Sequence, residues 1–139
     1  MRCLPAWLDL ARSDDLDTAR NIAEIGVGVL FALGAVFNAT YTRKEADEFC
    51  RSFAEAAWFG PGRRLVERIV VPIAVVFNAA VILLQAAVAL ATLSRTDLTT
   101  AGLVAGAMFE ALAALACGLG GTAGNLALAG LQTTLALTG

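Results

Sequence analysis

The sequence predicts an all-α fold: a polytopic membrane four-helix bundle with an amphipathic interfacial helix between the first and second spans. Two observations predict it. Of the 139 residues, 58% are apolar and 16% are charged, whereas a soluble domain averages about 45–50% apolar and about 25% charged residues. From residue 69 onward the charged residues are Arg95, Asp97 and Glu110 alone, too few for a surface that faces water. Residues 1–139 are therefore predicted to form a single domain, integral to the cell (plasma or inner) membrane.

The first predicted span covers residues 22–41. A run of this length, rising about 1.5 Å per residue, crosses a hydrocarbon core about 30 Å thick. Ser13 is the predicted N-cap of this helix, because the acidic residues that follow it suit the positive end of a helix: Asp14, Asp15 and Asp17. The same acidic stretch argues against a signal peptide, whose first region is basic, so we expect a retained span.

Residues 43–59 are predicted to form the amphipathic helix, because one helical face is apolar and the other is charged. The apolar face consists of Ala46, Phe49, Cys50, Phe53, Ala57 and Trp58. The charged face consists of Lys44, Asp47, Glu48, Arg51 and Glu55. A helix of this kind lies in the plane of a membrane surface, and Gly60-Pro61-Gly62 is expected to end it.

Three further spans are predicted at residues 69–93, 98–117 and 122–138. The last is short and moderately apolar, so three spans plus a re-entrant or surface segment is the alternative. The first loop carries six Lys or Arg residues and the other side carries four. By the positive-inside rule, this difference places the first loop in the cytoplasm and both termini outside.

Six polar side chains interrupt the predicted spans, and each is costly in hydrocarbon unless it has a partner. They are Asn38, Asn78, Gln85, Glu110, Asn125 and Gln132. Asn78 and Gln85 are two helical turns apart, about 10.5 Å, and Asn125 and Gln132 have the same spacing. Spans two and four run in the same direction, so these faces can line one interior. The candidate site is therefore an intramembrane polar cluster of Asn78, Gln85, Glu110 and Asn125.

Several of these residues have two interpretations. Glu110 is either a proton-titrating or cation-contacting group in a cavity, or a protonated acid that ties helices together. The amides are either contacts between helices or ligand contacts. Cys50 and Cys117 are expected on the same side of the membrane, as a redox pair or as inert buried thiols. The segment VFNA at 36–39 recurs at 76–79, through a duplicated hairpin or through chance in a biased composition.

Composition and spacing exclude several functional classes. The chain has no histidine, which removes His-ligated metals and His-based acid–base catalysis. Its three cysteines form no C-x-x-C pair, and no glycine-rich nucleotide-binding motif or basic stripe for nucleic acid is present. No serine lies in a nucleophile elbow. The chain is therefore not expected to be an enzyme on its own, and no metal or covalent cofactor is predicted.

Two segments carry a family resemblance: GVLFALG at residues 28–34 and LLQAAVALATL at residues 83–93. Over residues 20–138 the chain resembles the DoxX-like family of small four-helix integral membrane proteins. The resemblance implies a membrane subunit of an oxidoreductase that acts on thiosulfate and quinone, or a partner in thiol redox or dehydrogenase maturation. In many members a Glu stands at the position of Gln85 and a Lys at the position of Asn38, so both departures remove a charge.

Three functions are therefore open. The first is a non-catalytic membrane subunit or partner of a quinone- or thiol-linked redox complex, with a quinone headgroup near the polar cluster. The second is a small proton-coupled transporter that acts as a dimer, with Glu110 as its membrane carboxylate. The third is a structural membrane protein whose polar residues join helices. The expected partners are the lipid bilayer, an oxidoreductase subunit and a second copy of the chain, but no nucleic acid.

Overall fold

The chain is helical throughout the part that the structure describes. The computed structural model describes residues 6–138, and side chains from residue 15 onward. About 90% of the chain is helix, with no strand in the described range. The α-helices are α1 (Ala6–Phe37), α2 (Ala46–Ala56), α3 (Gly60–Leu65), α4 (Ala74–Leu93), α5 (Leu98–Ala116) and α6 (Leu119–Leu137). The all-α prediction is confirmed.

Helix α1 begins earlier than predicted, at Ala6, and passes through Ser13 without a break. The N-cap prediction at Ser13 is therefore wrong. The acidic residues after it lie inside a helix because no glycine or proline interrupts the chain between Ala6 and Gly26, and local sequence without such a breaker propagates a helix. At its other end α1 widens into a π-helical turn, Asn38–Thr42.

Helix α2 lies within the predicted amphipathic segment 43–59 and has the predicted two faces. Ala46, Cys50 and Ala54 are buried, and Ala46 and Cys50 pack with Ala74 at the start of α4. The charged residues on the opposite face are exposed. Burial of one face and hydration of the other stabilises a helix of this composition against the rest of the chain.

Helix α2 ends at Ala56, four residues before Gly60-Pro61-Gly62, the segment that was expected to end it. These residues begin α3, with Pro61 in its first turn, where the missing proline N–H leaves no hydrogen bond unmade. A π-helical turn, Val66–Val70, and a 3₁₀ turn, Val71–Ile73, continue α3 into α4. The irregular turns lie around Pro72, which has no N–H to donate to the preceding turn.

Three helical stretches within residues 6–138 are long and apolar enough to cross a membrane: Asp15–Thr42, Gly60–Leu93 and Leu98–Ala116. They contain or closely match the first three predicted spans. Helix α6 covers most of the fourth predicted span, 122–138, but it is not one of these three stretches. Its glycines, threonines and amides lower its hydropathy. A helix at the fourth predicted position is confirmed, and its passage through a membrane stays a prediction.

Neighbouring long helices run antiparallel. Helix α1 packs on α4, α4 on α5, and α5 on α6, with a smaller contact between α6 and α1. The core between them includes Val27, Phe31, Val88, Leu103 and Leu135. Side chains that point away from it are apolar as well, such as Leu83, Leu90 and Leu112, which are 71%, 73% and 66% exposed. An apolar outer surface of this kind suits a lipid environment.

The two ends of the helices carry most of the charge. At one end, called the Arg20 end below, lie Arg20, the loop 94–97 and Thr138. There the Arg20 Nη1 donates to the Thr138 carbonyl oxygen at 2.7 Å and the Arg95 Nη2 to the Asn21 Oδ1 at 2.6 Å. At the other end, called the Trp58 end, lie Thr42, the segment 56–60 and residues 117–122. There the Trp58 indole N–H donates to the Thr122 hydroxyl at 3.0 Å.

Candidate functional site

Four polar side chains from α1, its π-helical turn and α4 form a buried cluster. This Asn38 cluster consists of Asn38, Thr42, Asn78 and Gln85. The Asn38 Nδ2 donates to the Gln85 Oε1 at 2.8 Å, and the Asn78 Nδ2 donates to the Asn38 carbonyl oxygen at 3.4 Å. Asn38, Thr42 and Asn78 are all buried. Buried polar groups normally have such partners, because an unmade hydrogen bond in apolar surroundings is costly.

The Thr42 hydroxyl lies at the centre of this cluster. Its Oγ1 is 2.8 Å from the Asn38 carbonyl oxygen, 3.0 Å from the Asn38 Oδ1 and 3.0 Å from the Asn78 Oδ1. A hydroxyl has a single proton to donate, so these three oxygens compete for it. Three acceptor oxygens therefore surround one hydroxyl donor, and rotation of the Thr42 hydroxyl determines which oxygen receives its hydrogen bond.

The close approach of α1 and α4 depends on a glycine. A Cβ placed on Gly34 would lie 2.9 Å from the Gln85 Nε2, so any larger residue would displace the Gln85 amide. The absence of a side chain at Gly34 lets Gln85 reach Asn38 across the helix interface. Small residues have this role wherever two helices approach closely.

Glu110 lies on the buried face of α5 and is 9% exposed. Among residues 15–138, no basic or hydrogen-bonding side chain is paired with its carboxyl group. Cys117, two turns further along the chain, is close enough to interact with Glu110 electrostatically. The structure thus shows Glu110 as a buried carboxyl group without a side-chain partner among the described residues, and both interpretations of it stay predictions.

Asn125 lies at the Trp58 end, beside the junction of α5 and α6. Its Nδ2 is 3.4 Å from the Cys117 Sγ. The neighbouring Thr122 hydroxyl donates to the Ala114 carbonyl oxygen at 2.8 Å. Since Trp58 donates to the same hydroxyl, the segment after α2 is attached to the beginning of α6.

The four predicted site residues thus lie in two groups rather than one. Asn78 and Gln85 both contact Asn38, whereas Asn125 and Glu110 lie near Cys117. No hydrogen bond between described residues joins the two groups. Thr42 was not among the predicted site residues. Its position one turn after Asn38 was a usable signal, because a threonine hydroxyl at that spacing reaches the preceding turn.

The repeated VFNA segment has a structural counterpart. Asn38 and Asn78, which occupy the same position in the two copies, are direct neighbours across the α1–α4 interface. Antiparallel helices place them at the same level. Either origin of the repeat, duplication or chance, is compatible with this contact.

Two clefts lie near the ends of the helices, and none of the four predicted site residues lines either one. The cleft at the Arg20 end has a volume of about 460 Å³ and is lined by Asp17, Arg20, Asn21, Glu24, Arg95, Thr96, Asp97, Thr99 and Thr100. The cleft beside α2 and α3 has a volume of about 410 Å³ and is lined by Arg51, Ala54, Glu55, Arg63, Glu67 and Val71. Both therefore open where charged residues meet the ends of apolar helices.

Arg20 fixes the end of α6 to α1. Its Nε donates to the Glu24 Oε1 at 2.7 Å, and its other guanidinium nitrogens reach the carbonyl oxygens of Leu135 and Thr138. A cation at the C-terminal end of a helix satisfies carbonyl groups that have no partner within the helix. Arg20 thus links the C-terminal end of α6 to α1.

Cys50 and Cys117 are both free thiols in the structure. Cys50 is buried between α2 and α4, whereas Cys117 contacts Asn125. Their different surroundings favour the interpretation as separate thiols over the redox pair. Cys3 lies outside the described residues.

We expect Cys50 to be alkylated slowly at neutral pH. Burial raises the pKa of the Cys50 thiol, and the Asp47 carboxylate raises it further, so the reactive thiolate is scarce at pH 7 and increases only as the pH rises. The measurement is the rate of maleimide labelling at pH 7 and pH 9, with the site assigned by peptide mass. Ser52→Cys in a Cys50→Ser background is the control, since Ser52 is exposed on the same helix. Equal rates for the two positions at pH 7 would contradict the expectation.

Comparison of the chain with family models, with curated protein sequences and with solved structures finds no match. The class of protein is therefore defined by the structure itself: within residues 6–138 the chain is helical and has three helices that are long and apolar enough to span a membrane. The resemblance to the DoxX-like family stays a prediction.

Proposed function

We propose that this chain is a non-catalytic integral membrane protein that serves as a subunit or partner of a quinone- or thiol-linked redox complex. In this proposal α1, α4, α5 and α6 form a four-span bundle in the cell membrane, and α2 lies at the interface. A quinone headgroup, if the complex uses one, would contact the cluster predicted from the sequence: Asn78, Gln85, Glu110 and Asn125. No covalent cofactor is required.

The observation that carries the proposal is the way α2 is held. Its buried face packs on the start of α4. At its C-terminal end, a Cβ on Gly118 would lie 3.1 Å from the Ala56 carbonyl oxygen, so α2 also touches the α5–α6 junction. Trp58 adds a hydrogen bond to α6. A helix fixed at both ends presents its charged face in one orientation, which favours specific docking.

The charge on that face favours a protein partner over lipid headgroups. The charged face carries three acidic residues, Asp47, Glu48 and Glu55, against two basic ones, Lys44 and Arg51. Amphipathic helices that bind anionic lipid are rich in Lys and Arg. An acidic exposed face is repelled by such lipids and is complementary to a basic protein surface.

The test is mass spectrometry of the native complex after mild detergent extraction, with proteins and lipids measured together. We expect a stoichiometric oxidoreductase subunit, and we expect the double change Glu48→Lys with Glu55→Lys to lower its recovery about tenfold or more through charge reversal at the interface. Asp15→Lys is the control, because Asp15 is exposed at the opposite end of α1. Recovery of the wild-type chain without any oxidoreductase would refute the proposal.

A further inference from the structure

The buried face of α5 carries small and polar residues at every turn. Thr99, Gly102, Gly106, Glu110 and Ala114 are all buried there. The two glycines leave room for polar side chains of neighbouring helices. A Cβ on Gly102 would lie 3.0 Å from the Thr92 Oγ1, and a Cβ on Gly106 would collide with the Gln132 Oε1. The Ala91 Cβ and the Phe31 ring lie at the same two glycines, so the polar atoms lie beside the apolar core.

Two of these polar groups have no partner among the described residues. Gln132 is fully buried, and neither its Nε2 nor its Oε1 is hydrogen-bonded. The Thr92 Oγ1 is also buried and unpartnered. An unsatisfied buried polar group is costly, and an ordered water molecule is the usual means of satisfying such a group. The side chains of Gln132 and Thr92 both point at α5, on the same face as Glu110.

These groups are spaced along α5 between the Arg20 end and the Trp58 end of the helices. Thr99 lines the cleft at the Arg20 end. Gly102, Gly106 and Glu110 follow at intervals of three or four residues, about 5–6 Å each along a helix. Beyond Glu110 lies Cys117, which contacts Asn125 at the Trp58 end. Two hydrogen bonds through a water molecule cover about 5–6 Å, so one water molecule is enough to bridge an interval of this length.

We propose that this α5 polar row is a hydrated path that conducts protons from one end of the helices to the other. The row consists of Thr99, Thr92, Gln132, Glu110 and Asn125. A hydronium ion at one end transfers its proton to the Glu110 carboxylate and leaves a water molecule. The carboxyl group then releases that proton to a water molecule on the other side, which regenerates the carboxylate. No electron is transferred, and the path does not depend on a redox partner.

The full chain, purified and reconstituted into phosphatidylcholine–phosphatidylglycerol vesicles, tests the proposal directly. A pH-sensitive dye inside the vesicles reports proton entry when valinomycin and a potassium gradient impose a membrane potential. We expect a flux above that of protein-free vesicles, an at least tenfold loss in Glu110→Gln, as for removal of a proton-transferring group, and recovery in Glu110→Asp. Gln132→Leu should also lower the flux, because it removes the polar side chain at the middle of the row.

Thr134→Val is the matched control. Thr134 is exposed on α6 and its hydroxyl bonds to the Gly130 carbonyl oxygen of its own helix, so its replacement should leave the flux unchanged. Wild-type flux no greater than that of empty vesicles, or Glu110→Gln flux equal to wild type, would overturn the proposal.

Infrared spectroscopy provides a second measurement that does not require transport. The infrared band of the Glu110 carboxyl group is identified as the C=O band that disappears in Glu110→Gln. If the row is hydrated, this band should shift within seconds of transfer to D₂O, because water exchanges the carboxyl proton. A band that exchanges only over hours would show that the interior is dry and would also overturn the proposal. Circular dichroism of each variant confirms that it has retained its helices.

Discussion

Gly62→Ala is expected to destabilise the protein by about 1–3 kcal/mol, the usual cost of overpacking. This expectation opposes intrinsic helix propensity, which favours alanine over glycine by about 1 kcal/mol. Gly62 is buried in α3, and a Cβ there would collide with the Leu115 carbonyl oxygen of α5. That atom belongs to the backbone, so no side-chain rotation relieves the contact and α3 must move away from α5.

The measurement is the thermal midpoint in detergent, followed by circular dichroism. Gly130→Ala is the matched control, because Gly130 lies within α6 and nothing is found within 4 Å of a Cβ placed there. The control should raise the midpoint slightly through helix propensity, while Gly62→Ala lowers it. Equal shifts of the two variants would show that α3 does not pack against α5 in this way.

The same contact explains why Gly60-Pro61-Gly62 begins a helix, which the sequence did not indicate. Glycine and proline together usually mark a turn, and nothing in the local sequence distinguishes that use from a close approach between helices. Gly62 is required by Leu115, a residue more than fifty positions later in the chain. A constraint of this kind comes from tertiary packing, so local sequence cannot reveal it.

The long helices, by contrast, were predictable from composition. Apolar runs such as 69–93 contain no proline after their first turn. Their helical state therefore follows from the local sequence. The start of α1 was not predictable, because Ser13 followed by acidic residues satisfies the N-cap pattern while also being tolerated inside a helix. Whether α6 crosses the membrane depends on its contacts with α5 and Arg20 as much as on its own hydropathy.

The grouping of the site residues was only partly predictable. Spacing correctly placed Asn78 and Gln85 on one face of α4, which lies against α1. Spacing does not determine how each helix is rotated about its axis relative to its neighbours. For that reason spacing did not show that the face of α6 with Asn125 and Gln132 lies against α5, where Gln132 meets Gly106 and Asn125 lies beside Cys117.

The hydrogen bond between Asn38 and Gln85 should be measurable as a coupling energy. Asn38→Leu and Gln85→Leu are each expected to destabilise the protein by about 1–3 kcal/mol, because each leaves the partner's amide unpaired in apolar surroundings. The double variant should lose less than the sum of the two, since neither amide then remains. In membrane proteins such coupling energies average about 0.6 kcal/mol and reach about 1.7 kcal/mol.

Reversible unfolding by sodium dodecyl sulfate in mixed micelles gives the four stabilities that the cycle needs. A second cycle, Asn38→Leu with Asn125→Leu, is the control, because Asn125 bonds to Cys117 instead and changes at residues without a shared partner are additive within about 0.3–0.5 kcal/mol. The Asn38 Oδ1 also accepts from the Thr42 hydroxyl at 3.0 Å, so Asn38→Leu should be the more damaging single change. A coupling energy between Asn38 and Gln85 no larger than in the control cycle would show that the two amides do not meet, and that α1 and α4 are held together by Gly34 and the apolar contacts alone.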